Sequence, residues 1–139
     1  MEKNYFQVTN ANIVTNSALR EPQIEAYMEA YNHFVINKEH THAIIVLPTG
    51  CGKSGLISIL PYGIAEGRVL VIAPQLTILD TLEESLDSGS SNNFWISRDV
   101  IKNPLSIIGT EGFQPGNYIL AMKRMNFGSV FMNSLIITV

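Results

Sequence analysis

At 139 residues the chain is long enough for one domain, and its 46 % hydrophobic and 15 % charged residues supply a buried core and exclude a disordered chain. The net charge of −3 leaves no global basic footprint, which speaks against a purely electrostatic nucleic-acid binder but not against a local contact strip. Its single cysteine, Cys51, excludes an intrachain disulfide framework.

Residues 1–18 are polar with scattered apolar positions and predict a loosely held lead-in to a domain covering 19–139. Pro22 suits the first turn of a helix over about 21–37. Ile24, Tyr27, Met28, Tyr31, Phe34 and Val35 recur at three- and four-residue spacing and predict its inward face. A polar stretch, 38–42, leads to a short apolar run, Ala43 to Leu47, read as a buried strand. Ser54 to Leu60 reads as a helix, broken up by Pro61, Gly63 and Gly67. Arg68 to Ala73, rich in β-branched residues, predicts a second buried strand. Thr77 to Leu86 follows as a helix with Ile78, Leu79, Leu82 and Leu86 inward. A Ser/Asn/Gly loop spans 87–93. Further strand candidates lie at 105–108, 118–122 and 135–139. Alternating strands and helices predict an α/β fold with a parallel sheet covered on both faces.

Between the first strand and its helix stands Leu47-Pro48-Thr49-Gly50-Cys51-Gly52-Lys53-Ser54. The core P-T-G-x-G-K-S of a phosphate-binding loop is met in full, although Leu47 replaces the first Gly of the strict eight-residue pattern. Gly50 and Gly52 allow the backbone to turn and present N–H groups to phosphate oxygens. Lys53 would neutralise the β- and γ-phosphates, and the Ser54 hydroxyl would hold a magnesium ion. The helix start adds the positive end of its dipole. Cys51 fills a loop position whose backbone does the binding. The bland alternative is an ordinary strand-to-helix turn with a surface lysine.

Upstream, Arg20 and Gln23 form Arg-x-x-Gln at a helix start. A Gln amide can donate and accept at once, matching adenine N6 and N7, although a solvated Gln is the usual explanation for a single one. Downstream, Pro74, Gln75 and Thr77 stand at the carboxyl end of the second strand, the ligand-facing edge of open α/β sheets. They could grip a nucleic-acid backbone or simply cap the following helix.

Together these three elements resemble the first RecA-like lobe of superfamily 2 DEAD/DEAH-box helicases and translocases, the branch that includes restriction-enzyme translocating subunits. The resemblance is closest over 19–82. Arg20 and Gln23 match the adenine-recognition motif, with Pro22 shifted from its commoner place. Pro48 to Ser54 match motif I, with Thr49, Gly50, Cys51, Gly52, Lys53 and Ser54 facing the nucleotide. Pro74 to Thr77 resemble motif Ia, with Gln75-Leu76 replacing the usual Thr-Arg. The resemblance implies an α/β, parallel-sheet P-loop NTPase (RecA-like) lobe, ATP and Mg2+ as cofactors, and DNA or RNA as partner.

The family's acidic motif II, whose Asp holds magnesium and whose Glu activates water, has no counterpart. The last acidic residue is Glu111; Asp80, Glu83, Glu84 and Asp87 fall on or at the end of the helix after motif Ia. Ser134 to Val139 resembles the apolar strand that leads into motif II. The expectation is an incomplete lobe, ending just before motif II and without the coupling motif, the second lobe or its arginine finger. A complete small domain ending in a strand is the alternative. ATP binding is then expected to survive while hydrolysis is lost. The competing functions are a non-hydrolysing nucleotide-binding interaction module and another small P-loop enzyme such as a kinase.

No apolar run approaches a membrane span and the first residues lack a signal-peptide pattern, so no membrane partner and a cytoplasmic location are expected. His33, His40 and His42 are read as parts of a solvated linker. Lys123-Arg124 is read as a surface basic pair. Trp95 could stack on a base but is expected to pack beneath the loop.

Overall fold

A computed structural model describes residues 5–87 and 89–101, together with the backbone of 118–122 and 134–137. The strand candidate at 105–108, Glu111 and the pair Lys123-Arg124 lie outside the described residues.

The chain opens with a short helix, α1 (Tyr5–Val8). It runs through turns into α2 (Glu21–Tyr31), which widens into a π-helical stretch over Asn32–Ile36. Strand β1 (Ala43–Val46) feeds the glycine loop and α3 (Lys53–Ile59). Strand β2 (Val69–Ala73) feeds α4 (Leu76–Leu86), and α5 (Phe94–Ser97) follows. Strands β3 (Tyr118–Met122) and β4 (Ser134–Ile137) complete the described elements. Helix α3 packs against α2, α4 and α5.

Two two-stranded sheets are described in place of the single parallel sheet expected. Strands β2 and β3 run parallel, Val69 opposite Tyr118. Strands β1 and β4 run antiparallel, Ala43 opposite Ile137 and Val46 opposite Ser134, a departure from the parallel arrangement. Ala-Ile-Ile-Val and Ser-Leu-Ile-Ile carry no apolar/polar alternation, so side-chain pattern does little to specify their direction or register. The expectation of strands covered on both faces is also corrected. Ile45 and Val71 turn toward the core, whereas Ile44, Val46, Leu70 and Ile72 are exposed on the opposite faces. A continuous apolar run announces burial of both faces only when helices cover both.

The first eighteen residues are not loosely held in the described part. Tyr5, Phe6 and Ile13 are core residues. Asn16 is 4 % exposed, and its amide donates to the carbonyls of Asn12 (2.9 Å) and Arg98 (2.7 Å). The Asn12 N–H donates to Val100 (2.8 Å). These bonds tie the amino-terminal segment to the segment after α5 across more than eighty residues of sequence. Polar composition concealed this, because the asparagines spend their amides on backbone rather than on water.

The core gathers around aromatic rings. Tyr62 packs edge-on against Phe6 and Trp95. Trp95 is fully buried, with Nε1 donating to the Ser58 carbonyl (2.8 Å), so it packs beneath the loop as expected. Of the predicted inward face, Tyr27 is buried and Ile24, Tyr31, Phe34 and Val35 pack against the core, but Met28 is exposed, and Gln23, Ala26 and Ala30 are buried beside them. Small alanines let the helix approach closely, and Gln23 is admitted because both ends of its amide find backbone partners.

The Tyr27 hydroxyl donates to the Tyr62 carbonyl (2.6 Å), and burial, with a smaller contribution from Tyr31, pushes its phenol up to about 12. In the unfolded chain the same group titrates near 10.0. Between these values the unfolded chain loses this proton and the folded chain keeps it, so stability falls as pH rises through that window. Chemical denaturation at pH 9 and pH 11.5 should show this loss, and Tyr27→Phe should make the decline shallower.

Candidate nucleotide-binding site

The glycine loop closes through the Cys51 N–H, which donates to the Pro48 carbonyl (3.2 Å). Gly50 and Gly52 adopt φ +84° and +83°, left-handed backbone that disfavours any side chain. Gly52 is also the N-cap of α3. Leu47 is buried, anchoring the loop in the core, while Pro48, Thr49 and Gly50 are exposed. Cys51, Gly52, Lys53 and Ser54 are partly exposed where the loop turns into the helix. No ion pair engages Lys53 among the described residues. Lys53 and Ser54 thus occupy the first two positions of α3, beside the turned backbone.

These features fit a phosphate group with its metal ion. Successive positive-φ glycines bend the chain into a concavity of backbone amides. A Cβ built on Gly50 would meet nothing within 4 Å, so the outer side of the turn is open. Lys53 provides an ammonium and Ser54 a hydroxyl, the donor set expected for triphosphate and magnesium.

Arg20 and Gln23 come directly to the loop, across about thirty residues of sequence. The Arg20 guanidinium donates to the Gly50 carbonyl. The Gln23 amide nitrogen donates to the Gly52 carbonyl (2.8 Å), which also receives the first helical N–H of α3, from Leu56 (3.1 Å). Gln23 Oε1 accepts the Arg20 backbone N–H (3.0 Å), closing the capping box of α2. Gln23 is only 4 % exposed.

Gly55 was not singled out from sequence and belongs to this arrangement. A Cβ there would stand 2.5 Å from Gln23 Nε2 and 2.6 Å from Phe94 Cζ. The available signal was a glycine inside a helix, which commonly marks a close approach. Beneath it, the Ser58 hydroxyl bonds the Ser54 carbonyl (3.0 Å) and the Ser58 carbonyl receives Trp95, so α3 is braced from below.

Pro74, Gln75 and Thr77 are exposed at the carboxyl end of β2. Gln75 is the N-cap of α4, with extended backbone (φ −137°, ψ 146°) and no side-chain capping bond. The Gln75 amide is therefore not spent on the helix end. Thr77 contributes its carbonyl to the Thr81 hydroxyl (2.9 Å). His33 Nε2 lies 3.0 Å from the Thr41 carbonyl and holds the linker after the π-helical stretch.

No curated protein and no solved structure matches the chain. No helix among the described residues is long and apolar enough to cross a membrane. The family described as type III restriction enzyme, res subunit, matches residues 16–115. That span holds the loop, Arg20 and Gln23, and the turn after β2. It is a family of helicase-type ATP-binding domains with the P-loop NTPase fold, whose members use ATP and Mg2+ and act on nucleic acid. With most of its length matched, this chain belongs to the type III restriction enzyme res-subunit family.

Proposed function

We propose that this chain is the ATP-binding portion of an ATP-dependent nucleic-acid helicase or translocase, a RecA-like lobe that binds nucleotide without hydrolysing it alone. The observation that carries the reading is the Gly50–Gly52 turn, opening onto Lys53 and Ser54 at the start of α3. The loop backbone around Gly50 and Gly52 would cradle the phosphates, Lys53 would neutralise them, and Ser54 would supply a hydroxyl to magnesium. When bound, the metal offsets the negative charge between phosphate oxygens. Arg20 and Gln23 belong to the site through the loop they hold. Gln75 and Thr77, with Pro74 setting the turn, supply exposed polar groups suited to a DNA or RNA backbone.

Loss of hydrolysis rests on the absence of any Asp or Glu after Glu111. The acidic pair that in this family would orient water and metal has no counterpart in the sequence given. Titration of the purified chain with a non-hydrolysable ATP analogue and Mg2+ should give saturable binding. A coupled assay with ATP should show no turnover above buffer. Sustained turnover by the chain alone would overturn the claim that the acidic pair matters. Gln75→Ala combined with Thr77→Ala should lower affinity for single-stranded nucleic acid about tenfold, as expected for two lost backbone contacts. Fluorescence anisotropy measures this directly, and unchanged affinity would remove these residues from the interface.

A further inference from the structure

We infer that Asn16 is a positioning residue of the nucleotide site, the polar hub of an amino-terminal strap that fixes α5 against α3 and so sets the first turn of α3, where Lys53 and Ser54 stand. The inference rests on the phosphate-binding reading above. Helix α5 is a single turn, too short to hold itself in water, so both of its ends need partners from elsewhere in the chain. At its start, the Asn93 side chain accepts the Ile96 N–H (3.2 Å) and donates to the Asp87 carbonyl (2.8 Å). Just past its end, the Asn16 amide donates to the Arg98 carbonyl (2.7 Å), the Asn12 amide to the Asp99 carbonyl (3.3 Å) and the Asn12 backbone N–H to the Val100 carbonyl (2.8 Å). Asp99 sits at φ +54°, left-handed backbone that is costly for a residue with a side chain and persists where its neighbours hold it. The family match begins at residue 16, so the part of the strap that carries Asn12 lies outside it.

The Asn16 side chain is 4 % exposed and both of its ends are used. Its amide nitrogen serves the Asn12 (2.9 Å) and Arg98 carbonyls, and Oδ1 accepts the Ala18 N–H (2.8 Å). An apolar residue there would take a donor from two carbonyls at once. From α5 the contact passes to the nucleotide side. Phe94 closes on Gly55, where a Cβ would stand 2.6 Å from its Cζ, and the Trp95 indole donates to the Ser58 carbonyl (2.8 Å). Gly55 follows Ser54 directly, and the Ser58 hydroxyl bonds the Ser54 carbonyl (3.0 Å). A shift of α5 therefore shifts the turn of α3 that carries the ammonium and the hydroxyl. Binding groups must be held within about 0.5 Å of their productive geometry, so a strap that fixes α5 raises affinity by pre-organisation.

The test separates affinity from stability in the full chain. Calorimetric titration with a non-hydrolysable ATP analogue and Mg2+ gives the affinity, at a temperature where Trp95 fluorescence shows each variant folded. Asn16→Asp keeps the size of the side chain and an acceptor for the Ala18 N–H, but sets an oxygen against the Asn12 and Arg98 carbonyls. It should weaken the analogue about tenfold. Asn12→Ala, at an exposed residue, removes the side-chain bond to Asp99 and should weaken it about threefold. Tyr27→Phe is the control, because it breaks a buried bond to the Tyr62 carbonyl away from the strap. It should lower the thermal midpoint yet leave affinity within about twofold of the wild type. Unchanged affinity in folded Asn16→Asp, or in Asn12→Ala if Asn16→Asp does not fold, would overturn the inference. So would a loss of affinity in Tyr27→Phe as large as in the strap variants, since affinity would then follow stability alone. A wild type that does not bind the analogue would instead overturn the phosphate-site reading itself.

Discussion

Lys53→Ala should weaken binding of a non-hydrolysable ATP analogue by at least ~100-fold, the loss expected when charge-assisted contacts to a triphosphate disappear. Lys53 stands at the first position of α3, on the partly exposed side of the loop. No ion pair with another described residue holds it there, so its removal leaves no described partner charge uncompensated. The thermal midpoint should therefore stay within a few degrees of the wild type. Calorimetric titration and a melt followed by Trp95 fluorescence separate the two effects. Retained affinity in a folded Lys53→Ala variant would reduce the glycine loop to an ordinary turn with a surface lysine.

Trp95→Ala should cost about 3–5 kcal/mol of folding stability, the range for emptying a large aromatic site. Against a typical total of about 5–15 kcal/mol this leaves much of the chain unfolded on mild heating. Trp95 is fully buried between Tyr62 and α3, and its indole N–H is spent on the Ser58 carbonyl. Removing it opens a cavity and takes a hydrogen bond from a buried carbonyl. Denaturant unfolding followed by far-ultraviolet circular dichroism measures the loss, since the only tryptophan is gone. Trp95→Phe separates the contributions, because it fills much of the space but cannot donate; it should cost about 1–3 kcal/mol. Because the Ser58 hydroxyl bonds the Ser54 carbonyl one turn earlier, loosening this packing should also lower nucleotide affinity. A variant as stable as the wild type would show that α3 does not depend on the brace beneath it.

Local chemistry made the elements and the loop legible in the sequence. Apolar runs of four to five residues announced β1 and β2, and Pro22 placed the start of α2. Even the short segments at 118–122 and 134–137 were visible as β-branched or aliphatic runs. The phosphate loop was legible because its demands are local: two glycines, a lysine and a hydroxyl, at fixed spacing between strand and helix. The family match over 16–115 agrees with that reading.

What was not legible depends on contacts between distant parts of the chain. Periodicity put Met28 on the inward face of α2, but the structure buries Gln23 and Ala26 instead. A hydrophobic count cannot anticipate that a glutamine goes inside, because its burial is favourable only once the Gly52 carbonyl and the Arg20 N–H are there to meet it. Asn12 and Asn16 read as a polar lead-in until the carbonyls near Val100 and Arg98 supply their partners. Strand direction was equally out of reach, since two short strands without apolar/polar alternation pair in either sense with little difference in side-chain pattern. Residue type and spacing by themselves determined the glycine loop, its lysine and its hydroxyl, and where they stand between strand and helix. Only the tertiary structure decided what holds that loop in shape, because the holding bonds join α2 to the loop across thirty residues and satisfy buried polar groups that no local pattern pairs.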